Sequence, residues 1–369
     1  MPGNETLGDS LNETSPLTIT WIHLGALLFL IIPIGVVCNI TALVVFCLSS
    51  LRKSSTGHYL MALAAADILF LLAELLANLN NYTDSQGFLL NVDFSHRSRI
   101  ACKLIYFLRY SSKFTSTWLT VGITVERLLT VVVPLHVGSI STPTVAKFML
   151  LIGPIITTTI CIGGALSIDI IKFSNNETSL TLCMVSDKRM YELWSLIVLG
   201  IFEMIVPSLI VSICTIIILI HLRKAKKERM GRLEGQKKSL TNSTNHHKSK
   251  QSQLTFMLLL VAITFVLIRL PNLITYHSDR ILKSFNNGTS HKTREESFKW
   301  LVAIRITNLF AVFNHSINFF LYCLGGSAFR KELLKIFCRR RQLNQWQLQM
   351  SSSASKQSGR KKSSKEAQV

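Results

Sequence analysis

Five charged side chains lie within long apolar stretches of the chain, where a charge is costly unless it has a partner or a task. They are Glu74, Arg109, Lys113, Glu203 and Arg269. Arg109 and Lys113 are four residues apart and would share one face of a helix. Two acids cannot neutralise three bases, so we expect a ligand with an anionic or strong acceptor group, with Glu74 or Glu203 receiving a ligand cation. Internal salt bridges that never touch a ligand are the alternative.

Covalent catalysis is not indicated by these residues. The sequence has no HExxH pair, no GxSxG elbow and no pair of catalytic aspartates in the apolar stretches. We therefore expect no enzyme activity, no cofactor and no metal centre. A secondary transporter would also use buried charges, but the inverted internal repeat it predicts is not visible.

Seven apolar stretches must position the charges. The chain of 369 residues is 49% hydrophobic and 16% charged, whereas soluble domains carry about 25% charged residues. The stretches cover residues 22–48, 58–80, 102–133, 145–170, 191–220, 253–278 and 301–324, and each holds the roughly 20 residues that a helix needs to cross hydrocarbon. Because lipid cannot satisfy open backbone, we expect an all-α fold with one seven-transmembrane helix bundle over residues 22–324.

The distribution of basic residues orients this bundle. The formal net charge is +20, which in a soluble protein would suggest nucleic-acid binding. However, residues 221–250 and the tail are rich in Lys and Arg, whereas residues 1–23 contain none. The basic segments are thus expected inside and the N-terminus outside, in a multi-pass protein of the plasma membrane with no nucleic-acid partner. Residues 1–20 lack the pattern of a cleavable signal, so the first span should direct its own insertion.

Asn-x-Ser/Thr triplets test this orientation independently. Five begin on the predicted outer side, at Asn4, Asn12, Asn81, Asn176 and Asn287, and predict a glycosylated extracellular segment over residues 1–21. The same triplet begins at Asn39, Asn242 and Asn314, where no glycan could be added. Only the clustering of the five therefore supports the topology.

Three cysteines are expected to have tasks beyond packing. Cys102, at the outer mouth of the third span, and Cys183, in the following outer loop, lie on the oxidising side and should pair. Their bond would close a loop of about 80 residues, contribute about 4 kcal/mol and hold that loop as a lid above the bundle. Cys338, beside three arginines on the inner side, is typical of a palmitoylation site.

Short motifs recur on consecutive spans. Arg127 follows Glu126, lies 25 residues after Cys102 and is followed by Pro134 and Leu135. The other motif residues are Gly35 and Asn39, Leu63 and Asp67, Pro207, Phe265 and Pro271, and Asn318 and Tyr322, with Phe329 and Arg330 in a short amphipathic eighth helix over 325–341. Together they resemble the motifs of rhodopsin-like, class A, G-protein-coupled receptors. The resemblance covers about residues 20–340 and implies coupling to heterotrimeric G proteins.

The resemblance also implies an inner switch. Glu126 would hold Arg127 in one state and release it toward the G protein in another, with Tyr322 as a further switch residue. Leu135 would insert into the G protein. Snorkelling of Arg127 to the headgroups is the simpler alternative.

The same resemblance implies a sodium-linked polar network. Asp67 matches the family position, and Ser116, Asn314 and Asn318 are the residues expected to complete it. If Arg269 approached Asp67 instead, its guanidinium could stand in for sodium, and agonist affinity would be insensitive to sodium.

The chain departs from the family pattern in ways that bear on its ligand. Arg269 replaces the sixth-helix tryptophan, Phe319 a seventh-helix proline and Thr215 a fifth-helix tyrosine, while the fourth span lacks its tryptophan. Arg109 occupies the place of the aspartate that binds amines, and residues 301–324 contain no lysine for retinal.

A charged cavity and a long outer loop over residues 171–190 suit an extended peptide. The run over residues 314–322 resembles invertebrate-type neuropeptide receptors. A receptor for an acidic small molecule, such as a lipid or nucleotide, remains the main alternative.

The inner segments indicate further partners. The basic loop between the fifth and sixth spans suits the anionic leaflet of the bilayer and acidic surfaces of a G protein. Residues 342–369 are rich in serine and poor in apolar residues, so we expect a disordered cytoplasmic tail that a receptor kinase and arrestin could recognise.

Overall fold

The computed structural model describes residues 16–86, 98–133, 142–174, 179–235, 255–275 and 294–337. These residues are helical apart from one hairpin and short connections. The helices are α1 (Pro16–Leu48), α2 (Ser55–Gln86), α3 (Arg99–Val132), α4 (Pro143–Leu166), α5 (Lys188–Trp194, Ser195–Ile205 and Val206–Gly235 in succession), α6 (Thr255–Thr275), α7 (Arg294–Ser316 and Asn318–Gly325) and α8 (327–337). The predicted all-α bundle is confirmed. A 3₁₀ turn, Ser50–Lys53, joins α1 to α2.

Five of the described helices are long and apolar enough to cross a membrane by length and composition alone. They are Leu24–Leu48, Ser55–Asn78, Pro143–Leu166, Lys188–Ala225 and Thr255–Thr275. The remaining long helices, α3 and α7, carry charged, hydroxyl and amide side chains that are buried in the bundle. Because these polar groups face protein, they do not have to be solvated by lipid.

The central helix is α3, which packs against α2, α4 and α5, while α1 packs against α2 and α7. Toward the inner end, one apolar cluster joins Phe46 of α1, Ile123 of α3, Met257 of α6, Tyr322 of α7 and Phe329 of α8. A second joins α3, α5 and α6. The core therefore fixes the positions of the helices that carry the charged residues.

The predicted fourth span, 145–170, ends earlier in the structure. After Leu166 the chain forms strand β1 (Ile168–Ser174), antiparallel to β2 (Ser179–Val185). The β-branched isoleucines of β1 favour a strand once the chain leaves the helix. The helix α1 also begins before the predicted residue 22, and α5 continues beyond residue 220.

The hairpin is tied to the outer end of α3. Cys183 of β2 forms the predicted disulfide with Cys102, with 5.8 Å between the two Cα atoms. Asp169 of β1 forms an ion pair with Arg99 at 2.8 Å and approaches Lys103 at 3.8 Å. The backbone N–H of Ile170 and the two cations lower the pKa of the Asp169 carboxyl. The hairpin is therefore held at the outer end of α3 by the disulfide and by the ionised carboxylate of Asp169.

Two glycines of α4 admit the indole ring of Trp194 from α5. A Cβ atom at Gly163 would lie 2.9 Å from the Trp194 ring, and Gly164 lies against the same ring. The indole N–H donates to the Ile160 carbonyl at 3.0 Å. The outer ends of α4 and α5 are thus locked together.

A third close approach joins α1 to α7. Asn39 donates through its side-chain amide to the carbonyl oxygens of Gly35 and His315, both at 2.9 Å. A Cβ atom at Gly35 would lie 2.7 Å from Ser316 Cβ and 2.9 Å from Leu71 Cδ1. The absence of a side chain at Gly35 is therefore what lets α7 approach α1.

We expect Gly35→Ala to lower the thermal unfolding midpoint of the purified protein. Overpacking costs about 1–3 kcal/mol, and alanine recovers at most about 1 kcal/mol of helix propensity. Gly153→Ala is the matched control, because a Cβ atom there meets nothing within 4 Å. Equal midpoints for the two variants would contradict the close approach.

Candidate functional site

Glu74, which is buried, and Arg109, which is partly buried, form an ion pair between α2 and α3, called here the outer charge pair. Arg109 donates through Nε to one carboxylate oxygen of Glu74 and through Nη2 to the other, the latter at 3.1 Å. Asn78 donates to the same carboxylate at 2.9 Å. A bidentate contact is the strongest form of guanidinium–carboxylate pair, so both charges are satisfied inside the bundle.

Glu203 of α5 is shared by two cations in what we call the Glu203 cluster. Arg269 of α6 lies 2.7 Å from Glu203 Oε1, and Lys113 of α3 lies 3.6 Å from the same oxygen. Thr117, one turn after Lys113, accepts a hydrogen bond from Arg269 Nη2 at 2.6 Å. One carboxylate between two cations leaves this cluster with a surplus positive charge.

The backbone of α5 supplies Arg269 with a further acceptor. Arg269 Nη1 donates to the carbonyl oxygen of Glu203 at 2.6 Å. In an α-helix that carbonyl would accept from residue 207, but Pro207 has no N–H to donate. The π-helical stretch Ser195–Ile205 ends just before this proline. The fifth-helix proline therefore frees the oxygen that Arg269 uses.

The five predicted charges thus lie in two groups. The three residues of the Glu203 cluster line a small cavity with Asn272, Asn314 and His315. Arg269 contacts Glu203 and Thr117 rather than Asp67, and it lies 4.6 Å over the Phe265 ring. Internal pairing, which the sequence left as an alternative, accounts for both acids.

Asp67 has its own set of partners, called here the Asp67 cluster. Ser116 donates to Asp67 Oδ1 at 2.6 Å, and the Asn318 side-chain amide donates to Oδ2 at 2.7 Å. His315 Nδ1 lies 2.7 Å from Oδ1. Asn314, the other residue expected here, lines the cavity of the Glu203 cluster instead.

At the inner end, α3 is tied to the start of α2 by four residues that we call the inner lock. Glu126 accepts hydrogen bonds from Ser55 and from Thr56, the latter at 3.2 Å. Arg127 donates to the Thr56 hydroxyl oxygen. Thr56 therefore bridges the acid and the arginine, and both charged residues are buried.

Tyr322 lies apart from the inner lock in the described residues. Its ring is buried and packs at 5.4 Å from Phe46 and 5.6 Å from Phe329. Arg330 of α8 donates to the Cys323 carbonyl at 2.7 Å and so caps the end of α7. The aromatic packing and this cap join α7 to α8.

Several predicted sites lie outside the described residues. These are Leu135, Cys338, the tail after residue 341 and four of the five glycosylation acceptors, Asn4, Asn12, Asn176 and Asn287. Asn81 lies on α2. All of them stay predictions.

Sequence reasoning missed several polar residues that complete these clusters, among them His315, Thr117 and Thr56. His315 stands next to Asn314, so the polar run 314–316 was the available signal. Thr117 lies one helical turn after Lys113, a spacing that could have placed it beside the same charges. No comparable signal marks Thr56, which stands two residues before the predicted second span.

A comparison with protein families identifies the kind of protein in which these clusters lie. The model described as 7 transmembrane receptor (rhodopsin family) matches residues 38–322. The chain belongs to this family. The chain is thus a multi-pass signalling receptor of the plasma membrane and not an enzyme.

Curated relatives of this rhodopsin-family receptor share about a quarter of its residues. The C-C chemokine receptor type 7 of Homo sapiens is 24% identical over 302 residues, 80% of this chain and 70% of the relative. The neuromedin-U receptor 1 of Mus musculus is 23% identical over 361 residues, 90% of this chain and 76% of the relative. The thyrotropin-releasing hormone receptor of Ovis aries is 25% identical over 362 residues, 90% of this chain and 83% of the relative.

We expect Glu74→Gln and Arg109→Gln to destabilise the receptor strongly when each is made alone. Arg109→Gln leaves the buried Glu74 carboxylate uncompensated, at a cost of about 3–5 kcal/mol, and Glu74→Gln leaves the partly buried Arg109 without its acid, at a smaller cost. The double variant removes both charges and should be more stable than the sum of the two losses predicts. Thermal unfolding of the purified receptor measures this coupling.

As a matched control, a double-mutant cycle combines Glu74→Gln with Arg99→Gln. The two losses of stability should add in this cycle, because Arg99 pairs with Asp169 outside the bundle. Additive losses in the Glu74 and Arg109 cycle would rule out the outer charge pair.

Proposed function

We propose that this receptor binds an extracellular peptide and that the peptide places an anionic group at Lys113. The observation that carries the peptide assignment is the set of relatives that align with 80–90% of the chain. They are receptors for a chemokine, a neuromedin and a releasing hormone, and all of these ligands are peptides or small proteins. The chain is thus proposed to belong to the peptide-binding part of its family.

The charge balance of the Glu203 cluster supports the anionic group. Glu203 neutralises one of its two cations, and the shorter contact is with Arg269. Lys113 is the longer contact, and its side chain is 17% exposed whereas that of Arg269 is 7% exposed. The ammonium of Lys113 is therefore the cation that an incoming carboxylate would meet.

The acids are less suited to receive a ligand cation. Glu74 is engaged by both nitrogens of Arg109 and by Asn78, and Glu203 by Arg269 and Lys113. At Glu74 a ligand cation would have to displace a guanidinium that already makes two hydrogen bonds, and at Glu203 it would lie beside two cations that already share the carboxylate. We therefore assign charge recognition to Lys113 and a positioning role to the other four residues.

The inner lock is the proposed output of ligand binding. Release of Arg127 from Thr56 would free a cation at the inner face for the G protein. Leu135, the tail serines, receptor kinase and arrestin stay in this proposal as sequence-based expectations. Coupling between the two ends would pass along α3, which carries Arg109, Lys113 and Arg127.

The ligand class is tested by a screen in cells that express the receptor with a promiscuous G protein. Amidated and free-acid peptides are compared with small carboxylates and nucleotides, and Arg127→Ala serves as the signalling control. We expect a response to peptides that the control abolishes. A response to small anions alone would move the ligand to the acidic small-molecule class.

For an active peptide, we expect Lys113→Met to raise the half-maximal concentration about 10–100-fold, since a charged hydrogen bond contributes about 1.5–3 kcal/mol. Lys188→Met is the matched control, because Lys188 is exposed at the outer start of α5 and its loss removes the same charge. Equal shifts in the two variants would indicate general electrostatic attraction rather than a contact at Lys113.

We expect Thr56→Val to raise basal G-protein activation. The substitution keeps the shape of the side chain but removes the hydroxyl that holds Arg127, and about 1.4 kcal/mol changes the ratio of released to held arginine about tenfold. Thr130→Val is the control, because the Thr130 hydroxyl bonds to the Glu126 carbonyl within α3. Unchanged basal activity in Thr56→Val at equal surface expression would remove the inner lock from the mechanism.

A further inference from the structure

The Asp67 carboxylate is fully engaged by side chains of α3 and α7. Ser116 and His315 contact Oδ1, and Asn318 contacts Oδ2, at distances of 2.6–2.7 Å. Asp67 has no exposed surface. Any cation that binds here must therefore displace one of these three partners or share an oxygen with it.

The hydrogen on His315 can be placed from its neighbour. A carboxylate oxygen accepts hydrogen bonds and donates none, so the Nδ1 atom 2.7 Å from Asp67 Oδ1 carries the hydrogen. The Asn318 contact is made by its amide nitrogen, which also donates. Hydrogen atoms of three donors thus point at the carboxylate, whereas a hard cation needs several oxygen lone pairs directed at it.

The imidazole ring packs against Phe70, and the backbone of His315 is fixed by Asn39. The ring centroid lies 4.3 Å from that of Phe70, and the His315 backbone carbonyl accepts from the Asn39 amide at 2.9 Å. The side chain is 2% exposed. A close-packed interior resists the rotation that would move the ring away from Asp67.

The surroundings on the other side of His315 are also unfavourable for a metal cation. His315 lines the cavity of the Glu203 cluster together with Lys113 and Arg269. That cluster carries one surplus positive charge, which would repel a further cation at short range. Asn314, whose amide oxygen could have served as a ligand, lines this cavity.

The residues present therefore do not fit the sodium ion that the family network implies. We propose that His315 closes the Asp67 site with its own N–H group, so that the receptor binds no sodium there. Sodium insensitivity was expected only if Arg269 approached Asp67, and His315 now takes that role instead.

The test compares the full-length receptor, purified in detergent, in sodium chloride and in choline chloride at equal ionic strength, about 0.15 M. A ligand that binds the folded state raises the thermal unfolding midpoint, by about 2–4 °C for each kcal/mol. We expect the wild-type midpoint and the basal G-protein nucleotide exchange to be the same in both salts.

His315→Ser should open the site by replacing the ring with a hydroxyl oxygen. We expect the unfolding midpoint of this variant to be about 2–4 °C higher in sodium than in choline. Adding Asp67→Asn to the variant should abolish this difference. If the variant does not fold, His315→Asn provides a second replacement that also leaves an oxygen ligand.

The wild-type measurement alone can overturn the proposal. A higher midpoint or lower basal exchange in sodium than in choline, abolished by Asp67→Asn, would show that sodium enters despite His315. Failure of both His315 variants to respond to sodium would assign the exclusion to the surplus charge of the Glu203 cluster and remove His315 as its cause. Neither result depends on the identity of the ligand.

Discussion

A guanidinium buried within a membrane-spanning helix constrains everything around it, and Arg269 of α6 imposes that constraint here. Its three described hydrogen-bonding partners come from two other helices: the carboxylate and backbone carbonyl of Glu203 on α5 and the hydroxyl of Thr117 on α3. Pro207 favours this contact because it has no N–H to donate to that carbonyl. Lys113 must then share an acid that is already occupied, which is the origin of the surplus charge. One substitution in α6 thus determines the electrostatics of the outer bundle.

The sequence predicted the bundle, its orientation and the disulfide, since these follow from apolar length, basic segments and two cysteines on the oxidising side. It could not predict which acid would meet Arg269, because that choice depends on the rotation of α5 through its π-helical stretch. The sequence placed Asn314 beside Asp67, whereas the structure places His315 there, and the cause is similar. Neighbouring residues differ by about 100° around a helix, and α7 is interrupted at Ile317, so register on this helix cannot be counted from its motif alone.

The polar clusters share helices and are not independent of one another. On α3, Arg109 belongs to the outer charge pair, Lys113 to the Glu203 cluster, Ser116 to the Asp67 cluster and Arg127 to the inner lock. On α7, His315 touches both the Asp67 cluster and the cavity beside Glu203. A small rotation of either helix would therefore alter several clusters together, which is the physical requirement for coupling between sites.

The indole of Trp194, set against Gly163 and Gly164, has a consequence for how ligands arrive. The ring occupies the space between the outer ends of these two helices and is fixed by its bond to the Ile160 carbonyl. A molecule that passed sideways between α4 and α5 at this level would therefore have to displace the ring and break that bond.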